Sequence, residues 1–121
     1  MRQGKLLIGI RTLDELEKET VAAFKKAAAG TASAAPAQRL YFADQNTLFS
    51  ALSPKRMALL KFLRQNGPMS IRKLAKLLDR DYKNVHTDVT HLFRLGLVKK
   101  KQADKVYVPW DDITIELALA A

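Results

Sequence analysis

The chain has 121 residues, 48% of them apolar and 27% charged, which suits one globular domain or one domain with an appendage. It has no cysteine, so disulfides and thiolate metal sites are excluded, and no apolar run nears the roughly twenty residues of a membrane span. The net charge of +9 is unevenly placed: residues 54–105 carry fourteen Lys and Arg against four Asp, and the remainder seven basic against eight acidic, the footprint of a polyanion partner.

Residues 5–11 (KLLIGIR) are predicted as a short strand with Leu6, Ile8 and Ile10 on one side. The run is too short and too glycine-broken for a signal-peptide core, and a cytoplasmic protein is expected. Thr12 and Glu15 form a capping box that starts a helix to about residue 29. Leu13, Leu16, Val21, Phe24 and Ala27 or Ala28 give that helix a narrow apolar stripe. The stripe can dock on the rest of the chain, pair with a symmetry mate or bind a protein partner. Residues 30–38 (GTASAAPAQ) are small and of low complexity, and read as a flexible linker whose two sides move independently.

A strand is expected over 39–43, then a helix capped by Asp44 and running through 52. Ser53-Pro54 starts the next helix, which ends near 65 ahead of Asn66-Gly67-Pro68. Its cations Lys55, Arg56, Lys61 and Arg64 should stay outside. Met69 fits a short strand.

Residues 70–97 (SIRKLAKLLDRDYKNVHTDVTHLFRLGL) organise the remainder. Ser70 caps a first helix with Ile71, Leu74, Ala75, Leu77 and Leu78 on one side. Asp81 caps a second, with Tyr82, Val85, Val89, Leu92 and Phe93 facing inward and Gly96 as its left-handed stop. Lys83, Asn84, Thr87, Asp88, His91 and Arg94 then face outward. In the first two turns of a recognition helix, lysine can donate to guanine, asparagine can pair with adenine and threonine can touch a thymine methyl. Strands over 97–101 and 105–110 around a turn at 102–104 make a hairpin carrying Lys99, Lys100, Lys101 and Lys105. Two helices at helix-turn-helix spacing followed by a basic hairpin give the winged-helix order. A final strand is expected from Ile113 to Leu119, with a helix from Glu116 onward as the alternative, and the strand pairs with the N-terminal one within one chain or across two.

The run from Pro54 to Lys100, with Arg80 to His86 as an RDYKNVH-type segment, resembles the MarR-like winged helix-turn-helix regulators. More narrowly it resembles small prokaryotic DNA-binding proteins, some of them antitoxins of toxin-antitoxin pairs. The resemblance spans about residues 40–116 and implies a repressor of its own operon, with a toxin bound through the N-terminal helix. It implies Arg80, Tyr82, Lys83, Asn84 and Thr87 as the turn and recognition face.

Catalytic and metal chemistry find no support. His86 and His91 point about 140° apart on a helix and cannot share a metal, and no P-loop or GxGxxG loop occurs. His86 reads as a core-edge residue, and no cofactor is expected. The expected fold is mainly α with a small β component: a winged helix-turn-helix over 39–121, a linker at 30–38 and a strand-helix appendage over 1–29. The expected function is a homodimeric regulator on operator duplex DNA and not an enzyme. Lys83, Asn84 and Thr87 would read bases, while Arg80, Tyr82, His91, Arg94 and the hairpin lysines hold the backbone. A winged-helix protein-interaction module and an RNA binder are the alternatives.

Overall fold

The computed structural model describes residues 4–28, 38–102 and 104–117. In chain order the elements are β1 (Lys5–Ile10), α1 (Leu13–Ala28), β2 (Gln38–Phe42), α2 (Gln45–Ala51), α3 (Pro54–Asn66), β3 (Met69–Ser70), α4 (Ile71–Leu78), α5 (Tyr82–Arg94), β4 (Lys99–Lys101), β5 (Lys105–Tyr107) and β6 (Asp112–Ile115). The protein is mainly helical with a small sheet component, and divides into two compact units, residues 49–111 and residues 4–48 with the tail from 112.

The second unit is built on β1, which runs parallel to β2 on one side and β6 on the other, with Ile8 opposite both Leu40 and Ile115. Leu6 and Ile8 are buried, as the alternation requires. The C-terminal strand therefore pairs within its own chain. This sheet also corrects the expected organisation. Segments before and after 30–38 share one sheet, so they are not independently moving parts. Of the linker, residues 30–37 lie outside the described residues, as do Ala29 at the expected helix end and Leu119, and Gln38 already belongs to β2.

The capping box of α1 forms: Glu15 N donates to Thr12 Oγ1 (3.1 Å) and Thr12 N to Glu15 Oε1 (3.3 Å). Of its apolar stripe, Leu13 is 86% and Val21 48% exposed, and Leu16 is half-buried. Phe24, Ala27 and Ala28 lie outside the described side chains. Asp44 caps α2 by accepting from Thr47 N (2.7 Å) and Thr47 Oγ1 (2.8 Å), and these two bonds hold its carboxyl below the usual carboxylate range.

In residues 49–111, Ser53 Oγ accepts from Arg56 N and Pro54 opens α3. Leu59 and Leu63 of α3, Leu74 of α4, Val85, Val89 and Leu92 of α5, and Leu97, Val98 and Val106 beyond them are almost wholly buried. Each such side chain contributes about 1.5–3 kcal/mol of hydrophobic stabilisation. Beside them β3, β5 and β4 form an antiparallel sheet in that order. Both hairpin strands are shorter than their sequence suggests. Leu97 and Val98 are consecutive and both buried, as are Val108, Pro109 and Trp110, and two-sided burial departs from the alternation a half-exposed ladder needs. Trp110 Nε1 donates to Gly96 O (3.2 Å), tying the chain after the hairpin to the end of α5.

Candidate nucleic-acid interface

The interface begins with how two helices are capped. Ser70 Oγ accepts from Lys73 N (3.1 Å) at the start of α4. At its end Asp79 takes a left-handed conformation (φ 53°), with Asp79 N donating to Lys76 O (3.1 Å) and Arg80 N to Ala75 O (3.0 Å). These paired bonds are the Schellman stop, and they turn the chain sharply within three residues. Asp81 Oδ2 then accepts from Asn84 N (3.4 Å) and α5 begins. The far end of α5 stops the same way: Leu97 N donates to Leu92 O (3.0 Å) and Gly96 N to Phe93 O (3.1 Å), with Gly96 at φ 81°.

Lys83, Asn84 and Thr87 are exposed on the first two turns of α5. Thr87 Oγ1 donates to Lys83 O (3.0 Å), so its donor is used inside the helix and its methyl and lone pairs remain for a partner. Arg94 is exposed at the end of α5 and His91 is half-buried.

Asp88 does not face outward. Its side chain is only 14% exposed, with Oδ1 accepting from Arg56 Nε (3.0 Å) and Oδ2 from Arg80 Nη2 (2.8 Å). Burial alone would push this carboxyl up, but the bonds from Arg80 and Arg56 outweigh it and hold the group below the usual range. One carboxylate thus joins α3, α5 and the turn between α4 and α5. Arg80, expected to hold the DNA backbone, pairs with Asp88 here, and Arg56, expected outside, does so while also donating to Ala51 O (3.2 Å). Arg80 Nη1 is buried without a hydrogen-bond partner among the described residues. Arg64, another expected outside cation, donates through Nε (3.3 Å) and Nη2 (3.0 Å) to Asp111 O. Lys55 and Lys61 are exposed as expected.

Three ring residues also depart from expectation. Tyr82 and Phe93, assigned to the inward stripe, are 41% and 42% exposed, because Val85, Val89 and Leu92 alone fill the narrow buried side of α5. His86 is exposed, with its ring 5.8 Å from that of Tyr82. Arg72 of α4 lies over the Tyr82 ring at 4.8 Å, and Lys100 Nζ lies 5.0 Å from the Phe93 ring centre.

The hairpin sorts its lysines by face. Lys100 stands opposite Val106, while Lys99 opposite Tyr107 and Lys101 opposite Lys105 share the other side. Lys100, Lys101 and Lys105 are exposed and Lys99 is half-buried. Like charges directly opposite each other repel, so the Lys101–Lys105 pair is a local cost that a bound anion would relieve. Gln102 turns the tip at φ 60°, and Ala103 of the expected turn lies outside the described residues.

No group of metal-ligating residues occurs among the described residues, and no described helix is long and apolar enough to cross a membrane. The sequence offered no signal for the Arg56–Asp88 contact, which spans 32 positions, or for the assembly of Arg72, Tyr82 and His86.

By class this is a mainly helical protein with a small sheet component whose excess of cations lies along α3, α4, α5 and the hairpin, within residues 54–105. Residues 51–115, more than half of the chain, match the model of the HVO_A0114 family, and the chain belongs to that family. Comparison with curated proteins and with solved structures found no match.

Proposed function

We propose that the protein is a winged helix-turn-helix regulator that binds duplex DNA in a sequence-specific manner and represses transcription as a homodimer. The observation that carries this reading is the free face of Lys83, Asn84 and Thr87 on the opening turns of α5, flanked by the cationic hairpin β4–β5. No hydrogen bond or ion pair among the described residues holds Lys83 Nζ or the Asn84 carboxamide, so both can pair with base edges. In this reading α5 enters the major groove and the hairpin grips phosphates beside it. Charge favours DNA over a protein partner, since a protein interface does not need the ten more basic than acidic residues that residues 54–105 carry. Geometry favours it over double-stranded RNA, whose deep, narrow major groove does not admit a helix.

A dimer fits because regulators of this size read two half-sites about a helical turn apart. The uncovered Leu13 and Val21 of α1 offer the contact. An antiparallel pair of these helices would set the exposed Glu15 and Glu17 of one copy near Lys25 of the other. That complementarity favours a second copy over the toxin partner that the family resemblance suggests.

The test is selection of duplexes from a random-sequence pool by the full chain, followed by anisotropy on the enriched sequence. A recurring motif that the Lys83→Ala/Asn84→Ala variant no longer prefers is expected. A pool without enrichment, or equal affinity of parent and variant for the enriched sequence, rejects the reading.

A further inference from the structure

Between α4, the start of α5 and the hairpin lies a cleft of about 390 Å³ lined by Ser70, Arg72, Tyr82, His86 and Lys100, with Asp104 at the hairpin tip. We propose that this cleft is a clamp for one backbone phosphodiester of duplex DNA, with Arg72 and Lys100 as its charged jaws. The inference rests on the duplex-binding reading and assigns Arg72 and His86, which that reading leaves unused.

Three features define the site. First, the guanidinium of Arg72 sits 4.8 Å over the Tyr82 ring, which holds it in place without using its N–H donors. A planar fork of free donors matches phosphate oxygens, and the lower entropy of a stacked side chain favours binding. Second, Lys100 is the hairpin lysine on the Val106 side, and both residues line the cleft while Lys99, Lys101 and Lys105 do not; its ammonium rests 5.0 Å from the Phe93 ring at the edge of the site, a contact that uses none of its N–H donors. Third, the hydrogen-bonding groups converge. Ser70 Oγ uses a lone pair on Lys73 N, leaving its hydroxyl hydrogen to donate, and the Tyr82 hydroxyl and the His86 ring supply further polar edges. Asp104 is the single carboxylate on the lining, against the two cations.

The position identifies the ligand. Tyr82 and His86 are one turn apart on α5, and each is followed directly by a reading residue, Lys83 and Thr87. A strand whose bases meet Lys83 and Thr87 therefore passes its phosphate across the cleft. Stacking of single-stranded bases is disfavoured, because Arg72 already covers a face of the one tyrosine present. The clamp sets the register of α5 in the groove and adds affinity on every sequence alike.

The test uses the full chain in two arms. In the first, Arg72→Gln and Lys100→Gln are compared with the parent on the selected duplex and on a scrambled one across a salt series. Each variant should bind both duplexes several-fold more weakly and flatten the slope of log affinity against log salt by about one. Loss on the selected duplex alone, or an unchanged slope, overturns the clamp. In the second arm, side-chain NMR signals of Arg72, Tyr82, His86 and Lys100 are followed during titration with a short duplex, a single-stranded RNA and inorganic phosphate. Movement with the duplex supports the clamp. Movement with phosphate but not the duplex keeps an anion site and sinks its assignment to DNA. Stronger movement with RNA also overturns it, and shifts of Lys83, Asn84 and Thr87 without these four reject the clamp while sparing the DNA reading.

Discussion

Replacing Asp88 by Asn changes one buried charge and almost no volume, so its consequences can be worked through. The parent carboxylate accepts from Arg56 at 3.0 Å and from Arg80 at 2.8 Å, both charge-assisted. An asparagine keeps one acceptor oxygen and turns an NH₂ donor toward the other guanidinium. One bond loses its anionic acceptor and keeps only its charged donor, and the second becomes a clash of donors, with Arg80 Nη1 already lacking a partner among the described residues. Breaking a fully buried pair costs about 3–5 kcal/mol, and partial exposure of all three side chains lowers that to about 2–3 kcal/mol here. Trp110 is the single tryptophan, is buried and lies within residues 49–111, so its fluorescence follows unfolding of that unit. At a urea dependence of about 1–2 kcal/mol/M, the midpoint should fall by about 1–3 M. Sequence preference for DNA should fall too, since the triad anchors α5 to α3 and to the turn before it. If Asp88 merely repelled phosphates, the variant would keep its midpoint and bind all DNA more tightly. That pair of results would refute the structural role.

Acid should unmask the same carboxylate. Its folded pKa is depressed, so its contribution is fully present above the unfolded value near 3.9 and is lost as pH falls through the lower folded value. Trp110-detected stability should thus drop more steeply below about pH 4 in the parent than in Asp88→Asn. Gly96→Ala meets no atom within 4 Å of the added carbon, so only the left-handed backbone opposes it, and a loss of about 1–2 kcal/mol is expected in the same urea assay. A larger loss would mean that packing and not dihedral strain governs this stop. Val21→Lys on the apolar stripe of α1 should convert a dimer to a monomer by light scattering, without moving the Trp110 transition. Equal masses for parent and variant would remove α1 from the interface. Lys101→Gln should relieve repulsion across β4–β5, raising stability slightly while flattening the salt dependence of DNA binding by about one.

Much of this protein could be read from local chemistry. The caps at Thr12, Asp44, Ser53, Ser70 and Asp81 each depend on one side-chain oxygen meeting the amide three residues on, so a short window contains the whole interaction. The stop at Gly96 and the exposed positions of Lys83, Asn84 and Thr87 follow from helical period in the same way. Three-dimensional packing decided the rest, because burial is a property of what approaches from elsewhere. Tyr82 and Phe93 fit the apolar stripe by spacing, but three narrower side chains sufficed to fill it. Asp88 looked outward until Arg56, 32 positions earlier, and Arg80 drew it in. Strand β1 settled the organisation by taking both its partners from beyond the supposed linker, and strand pairing over such separations leaves no local trace. Period and capping act within a few residues and are encoded there, whereas ion pairing, sheet order and the cleft around Tyr82 require distant segments to meet.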